Sequence, residues 1–140
     1  MKYFLDSAKL DEIDYAYQTF GIDGVTTNPK HIMLSGKPFM TAINDIAAWI
    51  KQNNLQGKDQ FPVSVEINPH LEKAEDMIEM AEKISAICEN FVIKIPATEQ
   101  GIKAARILEK KGVRTNVTLV FSAAQAILPA KNGSLFVSPF

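Results

Sequence analysis

The feature that most restricts how this chain can fold is an alternation repeated along its length. A short β-rich apolar run is followed by a few polar residues and then an amphipathic helical stretch. The strand candidates are Tyr3 to Asp6, Gly24 to Thr27, Val63 to Ile67, Phe91 to Ile95, Arg114 to Leu119 and Leu135 to Ser138. Between them, helical stretches begin near Ala8, Lys30, Leu71, Glu99 and Ser122. Strict β-α alternation points to a parallel α/β sheet with helices packed outside it. Two architectures satisfy it, an open doubly wound sheet and a closed (β/α) barrel. Six strands in 140 residues suit the open sheet by length, because a complete eight-stranded barrel needs over ~200 residues.

Local signals support the helices. Asn28-Pro29 offers an N-cap followed by proline at the first helical position, where its missing N–H costs nothing. Asn68-Pro69 and Thr98 read as similar openings, and Gly112 after Lys110-Lys111 reads as a helix stop. Ala74, Met77, Ile78, Ala81, Ile84, Ser85 and Cys88 follow helical spacing and form one apolar face. Trp49 with Ile46 and Ile50 reads as core packing. No linker, low-complexity segment or composition break interrupts residues 1–140, so one domain is expected.

Composition removes several function classes. Fifteen basic and sixteen acidic residues leave a net charge of -1, so no grip on nucleic acid or an anionic membrane is expected. No apolar run has the length of a membrane span. Met1-Lys2 leads directly into a strand pattern rather than an export signal, so a cytoplasmic protein is expected. Cys88 is the only cysteine, which excludes an internal disulfide and any Cys-based zinc site. With Ala86 and Ile87 reading as a helix face, it is expected to be an inert buried thiol. His31 and His70 stand at helix beginnings with no matched ligand spacing, so no metal site is expected. The glycines form neither a dinucleotide fingerprint nor a phosphate loop, and no Ser-His-Asp elbow is present.

The polar residues inside the strands carry the chemistry. Side chains alternate across a strand, and here the polar ones share one parity. Ser64 and Glu66 sit between valines and an isoleucine, Lys94 between Ile93 and Ile95, and Asn116 and Thr118 two apart in the next strand. Asp6 closes the first strand in the same manner. Lys94 is the only lysine flanked on both sides by β-branched aliphatics. A walled-in ammonium must be driven toward neutrality or paired with a carboxylate, and a neutral amine can attack a carbonyl to form an imine. Each residue has a bland alternative. Lys94 and Glu66 could face water on an edge strand, Asp6 or Ser7 could cap a helix, and Asn116 and Thr118 could be ordinary strand polars. Their common parity and late strand position are what those alternatives leave unexplained.

These residues stand in segments that resemble the transaldolase family: Gly24-Val25-Thr26-Thr27-Asn28-Pro29, Val92-Ile93-Lys94-Ile95-Pro96, Asn116-Val117-Thr118-Leu119-Val120-Phe121-Ser122 and Val137-Ser138-Pro139-Phe140. The segments fall in family order, and the resemblance covers essentially all of the chain. It implies a (β/α) barrel in place of the open sheet. It also implies a Schiff base at Lys94, proton shuttling at a sugar hydroxyl by Asp6, and a water held by Glu66 and Thr118 for imine formation and hydrolysis. Asn28 and Asn116 would bind substrate hydroxyls or the intermediate, and Ser138 the phosphate end. Aldolase members of the group tend to carry glutamine at the position of Glu66 and tyrosine at that of Phe140, so both residues here match the transaldolase choice. The implied reaction moves a dihydroxyacetone unit from a ketose phosphate (sedoheptulose 7-phosphate or fructose 6-phosphate) to an aldose phosphate. No metal or organic cofactor is implied, since the imine is the electron sink.

Family members continue past the position of Phe140 with a phosphate-clamping arginine and two more βα units. A barrel with about six of its eight units is therefore expected, either as a fragment, completed by another chain, or as a truncated relative that pairs its edges as a homo-oligomer. The alternatives in function are a fructose 6-phosphate aldolase-type lyase and a non-catalytic barrel acting as an assembly partner.

Overall fold

The computed structural model describes residues 1–140. Its elements run β1 (Phe4–Asp6), α1 (Leu10–Phe20), β2 (Gly24–Thr26), α2 (Pro29–Leu34), α3 (Phe39–Gln52), β3 (Val63–Glu66), α4 (Ala74–Ser85), β4 (Phe91–Pro96), α5 (Glu99–Lys110), β5 (Thr115–Val120), α6 (Ala123–Lys131) and β6 (Phe136–Pro139). The six strands form one sheet in the order β1-β2-β3-β4-β5-β6, with parallel pairing. A doubly wound sheet reverses its direction of growth at a switch point, and no reversal occurs here. Right-handed crossovers that always step the same way keep every helix on one face, which is the (β/α) barrel arrangement with six of its eight units. The open sheet suggested by length is thereby corrected.

Two helix boundaries also differ from expectation. The stretch beginning near Lys30 is two helices, broken at Ser35–Pro38 where Gly36 takes a φ of 74°. Asn68-Pro69 opens a turn rather than a helix: Asn68 Oδ1 accepts the His70 N–H at 3.0 Å, and α4 starts only at Ala74. The apolar face of α4 ends with the helix at Ser85, so Cys88 lies beyond it. Gly112 does terminate α5, with a φ of 83° and its N–H on the Glu109 carbonyl.

The chain forms two compact units. The first comprises Met1–Val65 and Ile87–Phe91. Its core is built from Ile13, Val25, Ile43, Ile46, Ile50 and Val63, all fully buried. Trp49 packs edge-to-face on Tyr17, and its indole N–H donates to Asp14 Oδ1 at 3.0 Å. Asn90 ties the loop before β3 by donating to the carbonyls of Leu55, Gln60 and Phe61. Beside edge strand β1, the exposed Tyr3, Tyr15 and Phe20 line an apolar groove of about 590 Å³.

The second unit comprises Glu66–Ala86 and Val92–Phe140. Met77, Ile84, Ile93, Ile95, Leu108 and Val117 fill its core, and each such side chain contributes about 1.5–3 kcal/mol by leaving water. The start of α5 lies against the end of β4, where a Cβ on Gly101 would stand 1.9 Å from the Pro96 carbonyl oxygen. Only glycine fits that approach. Thr98 caps the same helix by accepting the Gly101 N–H at 3.0 Å. Ile127, Leu128, Phe121 and Phe140 are exposed in this unit. No helix of the chain is long and apolar enough to cross a membrane.

Candidate active site

In the second unit, Lys94 and Glu66 form an ion pair with Nζ and Oε2 3.8 Å apart. Their side chains are only 12% and 13% exposed, which removes the reading of either as a water-facing edge residue. Of the two states open to a walled-in lysine, the one with a carboxylate partner is realised. Burial strips water from the Glu66 carboxylate and raises its pKa above the ordinary 4.5, outweighing the opposing pull of the Lys94 ammonium. Glu66 therefore holds a proton more readily than an exposed glutamate does.

The register of β4 on β5 sets Lys94 beside Asn116, and paired residues of parallel strands share a face. Asn116 in turn accepts a hydrogen bond from the Ser138 hydroxyl at 2.7 Å on β6. Glu66, Lys94, Asn116 and Ser138 thus form a polar row across four strands, and Asn116 and Thr118 are both buried. A hydroxyl has one proton to donate, and that of Ser138 is directed at Asn116 Oδ1. Just past Thr118, Leu119 takes a left-handed φ of 59°, and the β5–β6 register shifts between Val117 and Val120. Such bulges re-aim side chains at strand ends. The exposed ring of Phe140 lies 5.4 Å from that of Phe121.

The first unit holds Asp6 and Asn28. Asp6 Oδ1 accepts the Thr26 hydroxyl at 2.8 Å, and Asp6 Oδ2 lies 2.9 Å from His31 Nε2. The helix-capping alternative for Asp6 fails, because the N-cap of α1 is Lys9 and has no side-chain cap. Asn28 does cap α2, accepting the His31 N–H at 2.9 Å through Oδ1. Neither Thr26 nor His31 stood out in the sequence. Thr26 reads as a β-former, and a histidine three residues after a capping asparagine reads only as a helix start. Cys88 is half-buried, and burial pushes its thiol pKa up, consistent with an inert sulfur.

A family model described as Transaldolase/Fructose-6-phosphate aldolase matches residues 3–140. The chain belongs to this family. It is 59% identical over 140 residues to the 6-deoxy-6-sulfo-D-fructose transaldolase of Priestia aryabhattai, covering all of this chain and 60% of that protein. It is 46% identical, with the same coverage, to a protein of Dictyoglomus turgidum named "Probable transaldolase". The chain therefore spans 60% of the length of these curated transaldolase relatives. Among solved structures, that of 2,3-dimethylmalate lyase, a PEP mutase/isocitrate lyase superfamily member, superposes with a TM-score of 0.60. The match covers 99% of this chain and 58% of the lyase at 10% identity, a likeness of fold alone. Lys94 stands on β4, and Asp6 ends β1.

Proposed function

We propose that the protein is a Schiff-base transaldolase whose donor is 6-deoxy-6-sulfo-D-fructose and whose acceptor is an aldose phosphate. The observation that carries the chemistry is the Lys94–Glu66 pair, a nearly buried amine 3.8 Å from a carboxylate whose proton affinity is raised. Attack on the C2 carbonyl of a ketose requires the neutral amine, and Glu66 is the group able to carry the proton. Glu66 and Thr118 serve the proton transfers through which the carbinolamine loses water to give the iminium ion. Asp6 then takes the proton of the C4 hydroxyl as the C3–C4 bond breaks. The bonding pair moves into the iminium, an enamine forms on Lys94, and a three-carbon sulfonated aldehyde departs. The enamine carbon attacks the acceptor aldehyde, Asp6 returns the proton to the new hydroxyl, and water hydrolyses the imine to free Lys94. Asn28 and Asn116 hold substrate hydroxyls, Ser138 lies toward the anionic end, and Phe140 leaves the enamine without a hydroxyl proton source. No metal or organic cofactor enters this scheme.

The sulfonated donor is favoured by the 59% identity to a relative named for it, against 46% to one named only as a transaldolase. A second reading keeps the same residues with sedoheptulose 7-phosphate or fructose 6-phosphate as donor, and the family description, which names fructose 6-phosphate, supports it. The two donors differ physically at one end. A sulfonate carries a single fixed charge, whereas a phosphate monoester carries about −1.5 to −2 near neutrality.

Borohydride trapping with each donor, followed by peptide mapping, tests both statements. Adduct at Lys94 is expected, with turnover greatest for the sulfonated ketose. Adduct at another lysine overturns the chemistry. Preference for a phosphorylated ketose overturns the donor assignment alone. Release of free dihydroxyacetone without an acceptor marks an aldolase-type lyase, and absence of any adduct marks a non-catalytic barrel.

A further inference from the structure

We infer that His31 is the positioning residue that aims the Asp6 carboxylate for the proton transfer of C–C cleavage, an inference that rests on the role proposed above for Asp6. Asp6 ends a three-residue strand, and its side chain is 62% exposed. A short carboxylate so placed turns freely about its side-chain torsions unless it is held, and misplacement by about 1 Å costs up to roughly 10²-fold in rate.

Two donors hold it. The Thr26 hydroxyl reaches Oδ1 from the residue paired with Asp6 in the β1–β2 register, and His31 Nε2 lies 2.9 Å from Oδ2. With a donor on each oxygen, the plane of the carboxylate is set. An ionised carboxylate only accepts, so Nε2 is the ring nitrogen that carries the proton and donates.

His31 is itself well anchored. Its side chain is 23% exposed, and its backbone N–H is bound by the capping oxygen of Asn28. One residue therefore links the asparagine that opens α2 to the carboxylate that ends β1. A bare structural staple between β1 and α2 would explain the contact equally well, and it predicts different kinetics.

The test compares His31→Leu and His31→Gln in the natural full-length protein, using the sulfonated ketose and the phosphorylated ketoses as donors. Glutamine sets an amide N–H near the position of Nε2 but cannot titrate. His31→Leu is expected to lower kcat roughly tenfold to a hundredfold. Its KM should stay within about threefold, and borohydride trapping of dihydroxyacetone at Lys94 should be unchanged. His31→Gln should recover most of the lost rate. Should His31→Leu fail to fold, His31→Phe, which keeps a ring without a donor, takes its place against His31→Gln. A Leu or Phe variant within about twofold of wild type in kcat overturns the inference, as does equal loss of cleavage and trapping, or a Gln variant no better than the variants without a donor. Wild-type protein that forms no imine at Lys94, or an Asp6→Asn variant that cleaves at full rate, overturns the proposed function and this inference with it.

Discussion

The two compact units each hold one carboxylate of interest, and the two are held in opposite ways. Glu66 is nearly buried beside a single cation 3.8 Å away, and loss of water dominates its proton affinity. Asp6 is mostly exposed and is held by hydrogen-bond donors on both oxygens, at 2.8 and 2.9 Å. Burial tunes how tightly a carboxyl holds its proton, whereas flanking donors tune where it points. An acid–base group for imine chemistry gains from the first, and one that must meet a single substrate hydroxyl gains from the second.

The sharpest way to break this contrast is at the amine. Lys94→Met is expected to abolish borohydride trapping and to lower transfer by roughly 10³-fold or more, read by peptide mapping and steady-state rates. Asp6→Asn should lower cleavage by about 10²- to 10⁴-fold, the range of a lost general base, while leaving imine trapping intact. Trapping and cleavage lost together would erase the division of labour between the two carboxylates. Glu66→Gln should show the reverse order, slowing the approach to imine in a single-turnover experiment by roughly 10²-fold. Thr26→Val, which removes the donor to Oδ1 of Asp6 and leaves His31 on Oδ2, is expected to cost less than about tenfold in kcat.

The smallest effect is thermodynamic. Because the folded-state pKa of Glu66 lies above its unfolded value, the folded chain binds that proton more tightly between the two. Glu66 therefore lowers stability as pH rises from 4.5 through the folded value. Glutamine cannot ionise and lacks this loss. Glu66→Gln is expected to melt no lower than wild type at pH 7, with the difference shrinking as pH falls toward 4.5. A clear drop in melting temperature at pH 7 would mean that attraction to Lys94, rather than desolvation, governs the pair.

Legibility in the sequence varied with the range of the interaction. Lys94 was visible because its aliphatic neighbours are adjacent in sequence, and its partner Glu66 because strand parity repeats every two residues. The Asn28 cap on α2 was visible because a cap acts within one turn. Asn68-Pro69 carried the same signal and opened a turn instead, since a cap motif describes only its own few residues and α4 begins where its apolar face meets the core. The break between α2 and α3 at Gly36 was hidden, because both flanking segments carry helical periodicity. Length favoured an open sheet, and the order of the strands decided otherwise.

From the amino-acid sequence came the alternation of elements, the parallel sheet, the family resemblance and the parity of the polar residues, all set by periods of two and 3.6 residues that local sterics impose. Tertiary structure alone decided that Lys94 meets Glu66, that the Ser138 hydroxyl is turned to Asn116, and that Asp6 lies between Thr26 and His31. Those contacts join residues twenty or more positions apart, and whether such side chains touch depends on strand register and burial, which no local pattern encodes.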